Sequence, residues 1–417
     1  MVKDKEIQGY RQQPGKLPFS KPGSGGKNSF SKPINLENIP VSQNGIKEQP
    51  WGPHRHDSLI SGQVIGKSTA LVDSAWKVTG QAQYGDDIRL PNELIGRIVR
   101  SPHHYAKILS IDCSEALDLP GVVAIATGND AKNKFGVLPV TKDEHAMAVE
   151  KVRHAGDLIA CIAAENENIA REAERLIRIE YEILESIHDI KEGLEDSEYP
   201  IHDRGQYHIG NSNIQKRVFQ EFGNISSLEK NTAVSHQSNW TFAGVNHGFT
   251  EPHAVVANWS PDGRLTLYTP QQVPHYVHRS LADVLEIPMH QINVHRTFVG
   301  GGFGGKSDPF PHEMCAAILA RKSGRPVRIT FDREEVFWVN RGRHPSKIEM
   351  NLHADSSGRI CGIETDALID GGGFASFGHV TTYYNGVLHT APYEIGAFHY
   401  TCLLYTSDAA DEGLGVD

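Results

Sequence analysis

The sequence contains no run of about 18 apolar residues and no apolar stretch near its N-terminus. Neither a membrane-spanning helix nor a secretion signal is therefore expected. It also lacks an excess of positive charge, since 41 Lys and Arg stand against 51 Asp and Glu, a formal net charge of −10. A negative protein repels a phosphate backbone. We expect a cytoplasmic protein that binds neither membranes nor nucleic acids.

Cysteine is scarce and widely spaced. No CxxC pair occurs, so the chain offers no local ligand set for a structural zinc ion or an iron–sulfur cluster. Reduced thiols packed in the interior are the expectation for all five positions. If the protein transfers electrons, an iron–sulfur cluster is expected on another polypeptide. The five residues are Cys113, Cys161, Cys315, Cys361 and Cys402.

The 417 residues are enough for two or three domains. Residues 1–60 are rich in Lys, Ser, Pro and Gly, which predicts a disordered basic arm. Over 65–186, short strand patterns alternate with one amphipathic helix, which is typical of an α+β domain. The polar stretch 187–231 is interpreted as a connection, and 232–401 as a second domain.

Strand and helix patterns can be assigned within both domains. Helical spacing predicts a helix over Pro274–Glu286 and another that begins at Pro311 and stops at Gly324. A hairpin is predicted around Ser357 and Gly358. A helix is also predicted at NIAREAERLI, and strands are predicted at LIGRIVR, AKILSI, VVAIAT, DLIACIAA, RIEYEIL, RLTLYTP, INVHRTFV and PVRITFD.

The glycine-rich segment VGGGFGGKS, residues 299–307, permits three interpretations. It satisfies the phosphate-loop pattern of nucleotide hydrolases, with Lys306 and Ser307, and also the dinucleotide-binding fingerprint. A phosphate loop opens a helix directly, which Pro311 opposes here. The dinucleotide fingerprint needs an acid about 20 residues later, and Asp332 comes too late. The third interpretation is a side-chain-free backbone that approaches a bulky anionic cofactor.

Six separate blocks can be picked out along the chain: VTGQAQYGDDI, RSPHHYAKILSID, GFTEPHAVVANW, TPQQVPHYVHRSLADVLEIP, VGGGFGGK and RPVRITFDREEVFW. Together they resemble the molybdenum-binding subunit of the xanthine oxidase and aldehyde oxidase family. They keep their order and approximate spacing from about Ile65 to Tyr400, which a glycine string alone cannot do. Within the family, FGVLPV, QVPHYVH, VNRGRHP and DGGGFASFG are most similar to the catalytic subunit of 4-hydroxybenzoyl-CoA reductase.

The resemblance implies a fold and a set of cofactor contacts. The fold is an α/β hammerhead domain followed by the first part of a molybdopterin-binding domain. Gln272 matches the amide that approaches an oxo ligand of molybdenum, a role that suits an uncharged hydrogen-bond donor. The glycine loop matches the cofactor-facing turn, so cofactor contacts are expected at Gly301, Gly302, Phe303 and Gly304. No protein ligand to the metal is implied.

The resemblance also implies a reaction class and partners. The implied function is that of a molybdopterin-binding subunit. Its cofactor would be the cytosine dinucleotide form of molybdopterin, and partner subunits would carry [2Fe–2S] clusters and FAD. The substrate would be an aromatic, heteroaromatic, aldehyde or acyl-CoA compound, to be hydroxylated or reductively dehydroxylated. A xanthine or aldehyde dehydrogenase is the alternative within the family. Xanthine relatives have a Glu where this chain has Ser307, which disfavours a xanthine pocket.

The C-terminal region departs from the family pattern. The family extends several hundred residues further and supplies a catalytic Glu as general base, which we expect beyond the end of this sequence. CLLYTSDAADE resembles a translated sequencing adapter, so 402–417 is expected to be a non-native tail. We therefore expect a truncated chain that is inactive alone. A nucleotide hydrolase using GGGFGGKS remains the alternative from another class.

Overall fold

The computed structural model describes residues 71–188, 193–194, 200–202, 213–230, 232–339 and 341–407. The predicted arm, 1–60, and the end of the predicted tail, 408–417, lie outside these residues. The chain divides into two compact units, Met1–Val78 and Thr79–Asp417. In the first, the described part is the short helix α1, Ser74–Val78. All that follows concerns the second.

Strands and helices alternate through the second unit. The helices are α2 Ser114–Asp118, α3 Glu167–Leu176, α4 Pro274–Leu285, α5 Pro311–Ser323, α6 Arg333–Val339 and α7 Gly378–Thr390. The strands are β1 Leu94–Arg100, β2 Ala106–Asp112, β3 Val122–Thr127, β4 Lys134–Phe135, β5 Glu144–His145, β6 Lys151–Val152, β7 Leu158–Ala164, β8 Arg178–Ile183, β9 Ile214–Phe222, β10 Val234–Phe242, β11 Ala254–Trp259, β12 Leu265–Thr269, β13 Ile292–Arg296, β14 Val327–Thr330, β15 Ser346–Ala354, β16 Ile360–Asp370 and β17 Ala397–Tyr405.

The largest sheet joins the two predicted domains. Its seven strands run in the order β13-β12-β11-β14-β1-β7-β3, so that strands of the first domain continue the sheet of the second. The junction is the parallel pair β1–β14, in which Leu94 lies opposite Val327. β7, LIACIAA, is buried at every position, as expected of a strand covered on both faces. A single hydrophobic core therefore extends across the boundary.

Helices α4 and α5 cover this sheet and begin and end as their sequences predict. Pro274 and Pro311 lie at the first helical positions, where a missing N–H costs nothing. Gly324 ends α5 in the left-handed conformation. Ten successive residues of α5, from Pro311 to Ala320, are buried, so this helix lies in the core and not on its surface. The helical spacing of α4 places Val277, Leu281, Val284 and Leu285 on its buried face.

A second, five-stranded sheet has the order β10-β15-β16-β17-β9. The predicted hairpin is β15–β16, which pairs in antiparallel register. The stretch 187–231, interpreted as a connection, contains β9, which pairs with β17. Ile214 and Val218 of β9 point inward between polar neighbours, and that polar composition concealed the strand. β17 is an inner strand that continues through Cys402 to Tyr405, across the predicted start of the tail.

The remaining strands form a three-stranded sheet, β6-β2-β8, and the short pair β4-β5. Helix α3 packs against β1 and β7 of the large sheet, in a core that includes Ala173 and Ile177. Its N-cap is Asn166, whose side chain accepts a hydrogen bond from the N–H of Ile169. Within the described residues, no helix is both long and apolar enough to cross a membrane.

Candidate functional site

The topology brings Gln272 and the glycine loop together. β12 and β13 are parallel neighbours, connected through α4. Parallel strands end at the same edge of a sheet, and ligand sites form where the chain leaves that edge. Gln272 follows the end of β12, and the glycine loop, defined as residues 299–307, follows the end of β13. The two segments must therefore meet above the same edge.

The side-chain amide of Gln272 is fixed by the glycine loop. Its Oε1 accepts hydrogen bonds from the backbone N–H groups of Gly304, at 3.0 Å, and Lys306, at 3.2 Å. The backbone N–H of Gln272 donates in turn to the carbonyl of Lys306, at 2.8 Å. Two donors on one oxygen assign the amide orientation, since the NH₂ group cannot accept them. The Nε2 donor consequently faces away from the loop.

The shape of the loop depends on its glycines. Gly301 and Gly304 have φ angles of +100° and +98°, which residues with a Cβ rarely adopt. A Cβ on Gly302 would lie 2.4 Å from Oε1 of Gln272. Phe303 has a φ of +51° and is 73% exposed, so a bulky residue is held in a strained backbone conformation with its ring outward. The strained backbone at Phe303 therefore holds the aromatic ring in an exposed position.

Three consecutive N–H groups at the start of this turn stay available. Gly300 donates to Glu251, Gly304 and Lys306 donate to Gln272, and Gly305 and Ser307 donate to carbonyl groups within the loop. Those of Gly301, Gly302 and Phe303 donate no hydrogen bond to any part of the chain that the structure describes. Successive unpaired backbone donors in a turn form a concave site for anionic or oxo oxygens.

A buried ion pair closes the base of the loop. Oε2 of Glu251 accepts from the Gly300 N–H at 2.7 Å and from the ammonium of Lys306 at 2.8 Å. Oε1 accepts from the Gly85 N–H at 3.0 Å. Lys306 is 1% exposed, and its Nζ lies 4.7 Å from the centre of the Phe249 ring. Burial lowers the pKa of Lys306, while the Glu251 carboxylate opposes this shift.

This geometry opposes a phosphate loop. In a nucleotide hydrolase the lysine must reach phosphate oxygens at a helix N-terminus. Here the Lys306 ammonium is turned inward onto Glu251, and the following helix begins at Pro311, as predicted. Glu251 belongs to the block GFTEPHAVVANW, and its contacts with Gly300 and Lys306 could not be identified from the sequence, because one carboxylate outside any periodic pattern carries no local signal.

A cavity of about 640 Å³ adjoins the outer side of the loop. Phe303 and Gly304 line it, whereas Gln272 is not among its lining residues. Much of the remaining wall is aromatic. Residues 341–345 and 370–377 form another wall, and these lie in the blocks VNRGRHP and DGGGFASFG. Besides Phe303, the Phe, Trp and Tyr residues that line it are Phe242, Phe310, Phe331, Trp338, Phe374, Phe377 and Tyr405.

Arg341 lies in this wall between two carboxylates. One guanidinium nitrogen donates to Asp308 at 2.7 Å, and the other forms a short ion pair with Glu144. The group also stacks on the Phe310 ring, 4.9 Å from its centre. Asp308 accepts a further hydrogen bond from Ser376. Sequence analysis did not connect these residues, since they come from four distant segments.

Several carboxyl groups near the site have perturbed acidity. Burial raises the pKa of Glu144 to about 8, although the Arg341 charge acts in the opposite direction. Glu313 is fully buried in the first turn of α5 and accepts hydrogen bonds from Thr269, Gln271 and the Phe310 N–H. Burial raises its pKa to about 7, although these hydrogen bonds act in the opposite direction. Burial likewise raises the pKa of Asp143 to about 6.

The described residues offer no cluster of three or more His, Cys, Asp or Glu side chains arranged to hold a metal ion. The five cysteines all belong to the described part of the chain and form no disulfide with one another. Cys161, Cys315 and Cys402 are buried.

Two family descriptions match the chain, one after the other. Residues 79–185 match the aldehyde oxidase and xanthine dehydrogenase α/β hammerhead domain. Residues 208–413 match the molybdopterin cofactor-binding domain. The second match includes the strand β9.

Curated relatives and solved structures agree with these matches. The nicotinate dehydrogenase large molybdopterin subunit of Eubacterium barkeri is 33% identical over 76% of this chain and 72% of its own length. The xanthine dehydrogenase molybdenum-binding subunit of Escherichia coli O157:H7 is 31% identical over 74% and 41%. Quinoline 2-oxidoreductase from Pseudomonas putida 86 superposes with a TM-score of 0.74, at 27% identity over 82% of this chain and 44% of that one.

Aldehyde oxidoreductase from Desulfovibrio gigas shares the fold, with a TM-score of 0.75 at 23% identity over 81% of this chain and 38% of its own. The chain thus spans less than half the length of several relatives. Its two matched segments, their order and the fold are those of one family. The chain belongs to the molybdopterin-binding subunits of the xanthine oxidase and aldehyde oxidase family, with a hammerhead domain followed by the molybdopterin-binding domain.

Proposed function

We propose that Gln272 and the turn Gly301–Gly304 hold the molybdopterin cofactor in a multi-subunit oxidoreductase. The observation that carries this proposal is the pair of hydrogen bonds from the loop to Oε1 of Gln272. They occupy Oε1 and direct the Nε2 donor away from the loop, so that it remains able to donate to a ligand.

The residues present fit an oxo-bearing, anionic cofactor. The N–H groups of Gly301, Gly302 and Phe303 supply three adjacent donors without adding charge. The absence of Cβ atoms at the glycines lets the ligand approach the backbone closely. The exposed Phe303 ring supplies an apolar wall beside them. An uncharged amide suits an oxo group because it donates a hydrogen bond without neutralising the metal centre.

Each part of the chain has a separate task in this proposal. Gln272 orients the cofactor through one donated hydrogen bond, and the loop backbone fixes Gln272. Phe303 and the aromatic wall exclude water from the cavity and orient a planar substrate. When bound, the molybdenum–pterin centre supplies the two-electron redox chemistry. We further propose that the cofactor is the cytosine dinucleotide form of molybdopterin and that partner subunits carry [2Fe–2S] clusters and FAD. The general base would come from a residue outside this sequence.

The proposed substrate is an aromatic, heteroaromatic, aldehyde or acyl-CoA compound, and the reductive branch acting on 4-hydroxybenzoyl-CoA is included. Two of the four blocks that resemble that branch, VNRGRHP and DGGGFASFG, line the cavity beside Phe303. Support for oxidation of a nitrogen heterocycle comes from the nicotinate dehydrogenase relative. Assays of the complex with nicotinate, xanthine, an aldehyde and 4-hydroxybenzoyl-CoA separate these alternatives.

The cofactor role of Gln272 can be tested with one isosteric substitution. In Gln272→Glu, the carboxylate still accepts from the loop but can no longer donate, and its charge repels an anionic ligand. We expect molybdenum and pterin in the purified complex to fall about tenfold, equivalent to one lost charge-sensitive hydrogen bond. Gln220→Glu is the matched control. Gln220 lies in β9 of the five-stranded sheet, and this substitution removes an amide donor to the carbonyl of Tyr383 in α7. Wild-type cofactor content in Gln272→Glu would refute the assignment.

A further inference from the structure

A connected set of contacts leads from Arg341 to the candidate cofactor site. Asp308, which receives the Arg341 guanidinium, lies two residues after Lys306 at the exit of the glycine loop. Its carbonyl accepts a hydrogen bond from Nε2 of Gln271 at 2.7 Å. Gln271 precedes Gln272 in the chain, and Lys306 is hydrogen-bonded to Gln272 in both directions. Asp308 therefore touches both segments that determine where Gln272 lies.

The opposite end of the same guanidinium is anchored in the hammerhead domain. Glu144, in β5, is buried, and it engages the second nitrogen of Arg341. A planar guanidinium can bridge two carboxylates at fixed spacing, which a lysine ammonium cannot reproduce. Arg341 thus links the exit of the glycine loop to a different domain of the fold.

A third segment is joined at Asp308. Ser376, in the turn between β16 and α7, donates a hydrogen bond to the same carboxylate. The adjoining N–H of Ala375 donates to Asp143 at 2.7 Å, next to Glu144. Glu144, Asp308, Arg341 and Ser376 all line the cavity. Their ion pairs and hydrogen bonds fix the positions of three walls of the cavity relative to the glycine loop.

These contacts leave little capacity in Arg341 for a direct ligand. Its side chain is 21% exposed, and both terminal nitrogens already face carboxylates. Burial alone lowers the pKa of Arg341, but the carboxylates of Glu144 and Asp308 raise it above the ordinary value. The guanidinium is therefore permanently charged, and its charge is already paired with carboxyl groups of the protein. Anion binding by this side chain is disfavoured.

We propose that Arg341 is a positioning residue, which sets the placement of Gln272 by holding Asp308 against Glu144. This inference rests on the proposed function, since it concerns the same cofactor site. A lysine at position 341 keeps the charge and much of the length but loses the second contact. The glycine loop and Gln272 would then shift relative to the hammerhead domain, without removal of any group that contacts the ligand.

The test uses the assembled complex with Arg341→Lys. We expect kcat to fall about tenfold, as for a small misplacement of reacting groups, with KM within about twofold. We also expect the paramagnetic resonance spectrum of the reduced molybdenum centre to change shape, which a purely structural role leaves unmoved. Arg100→Lys is the matched control, because Arg100 is also buried, is paired with Glu335 at 2.9 Å and lies over the Phe331 ring.

The outcomes separate the inference from the proposed function. A wild-type complex that contains neither molybdenum nor pterin would overturn both. A loaded wild-type complex with unchanged kcat and spectrum in Arg341→Lys would overturn the positioning role alone. Should that variant not assemble, Asp308→Asn gives the decision, because the amide keeps the volume but loses the charge that holds Arg341. A changed spectrum in Asp308→Asn supports the inference, and an unchanged spectrum refutes it.

Discussion

The buried pair of Lys306 and Glu251 permits a quantitative prediction about the base of the glycine loop. In Lys306→Met, the long apolar stem over Phe249 is retained and the ammonium is lost. Removing one member of a buried ion pair costs about 3 to 5 kcal/mol, because the other charge is left without its counterion. Glu251 is 11% exposed on its side chain and keeps the N–H groups of Gly300 and Gly85. The cost should therefore lie at the lower end, about 3 kcal/mol.

Denaturant unfolding of the purified chain measures this cost. A decrease of about 3 kcal/mol corresponds to roughly a hundredfold change in the folding equilibrium. Glu251→Gln and the double variant complete a double-mutant cycle, and the double variant should lose less than the sum of the single ones. The exposed pair of Arg359 and Glu394, 3.0 Å apart, is the control, with an expected effect of about 0.5 kcal/mol or less for Arg359→Ala.

The reasoning fails under a specific result. If Lys306→Met lowers stability no more than Arg359→Ala, the ammonium does not hold the loop, and the buried pair has no energetic role. A coupling energy near zero in the cycle would lead to the same conclusion. ATP binding that is present in the wild type and lost in Lys306→Met would restore the phosphate-loop interpretation.

Three further predictions follow from the site. Gly302→Ala places a Cβ 2.4 Å from Oε1 of Gln272 and should cost about 1 to 3 kcal/mol in denaturant unfolding, whereas Gly244→Ala, with its nearest neighbour at 3.4 Å, should cost less. Glu313 has a pKa of about 7 when folded against an ordinary 4.5, so folding takes up a proton between these values and stability falls as pH rises from about 4.5 to 7. Glu313→Gln should remove about 3 kcal/mol of that pH dependence, and an unaltered slope would show that Glu313 does not titrate in this range. Phe303→Asn should reduce the backbone strain, because asparagine tolerates a positive φ better than phenylalanine. We expect the unfolding free energy to stay unchanged or rise by about 1 kcal/mol while turnover of the complex falls. A large loss of stability would show that the exposed ring is structural.

Most elements with a clear period could be predicted from the sequence. The buried face of α4 follows from Val277, Leu281 and Val284 at helical spacing, and the start of α5 follows from Pro311. These signals are local, since each depends on residues within a few turns of one another. The resemblance to the family added the order of the domains.

Elements with weak local patterns could not be predicted. β9 and β10 carry polar residues along most of their length, and their identity as strands depends on pairing with β17 and β15. Helix α7, GHVTTYYNGVLHT, combines β-branched residues with glycines and lacks a clear apolar face. Tertiary contacts therefore determine these segments.

The candidate site shows the same division. Gln272 and the loop could be named from the sequence, and the parallel pair β12–β13 explains why they meet. The supporting contacts of Glu251 and Arg341 could not be predicted from the sequence, because each contact joins segments far apart in the chain. The continuity of the large sheet across both domains is equally non-local, since it depends on the pairing of β1 with β14.

The most direct test of the central claim is an experimental structure of the complete, cofactor-loaded complex. The account predicts that Nε2 of Gln272 lies about 2.7–3.2 Å from an oxygen of the metal centre, with the turn at Phe303 against the same ligand. A pterin bound elsewhere in the complex, with the Gln272 amide out of hydrogen-bonding reach of it, would contradict the account.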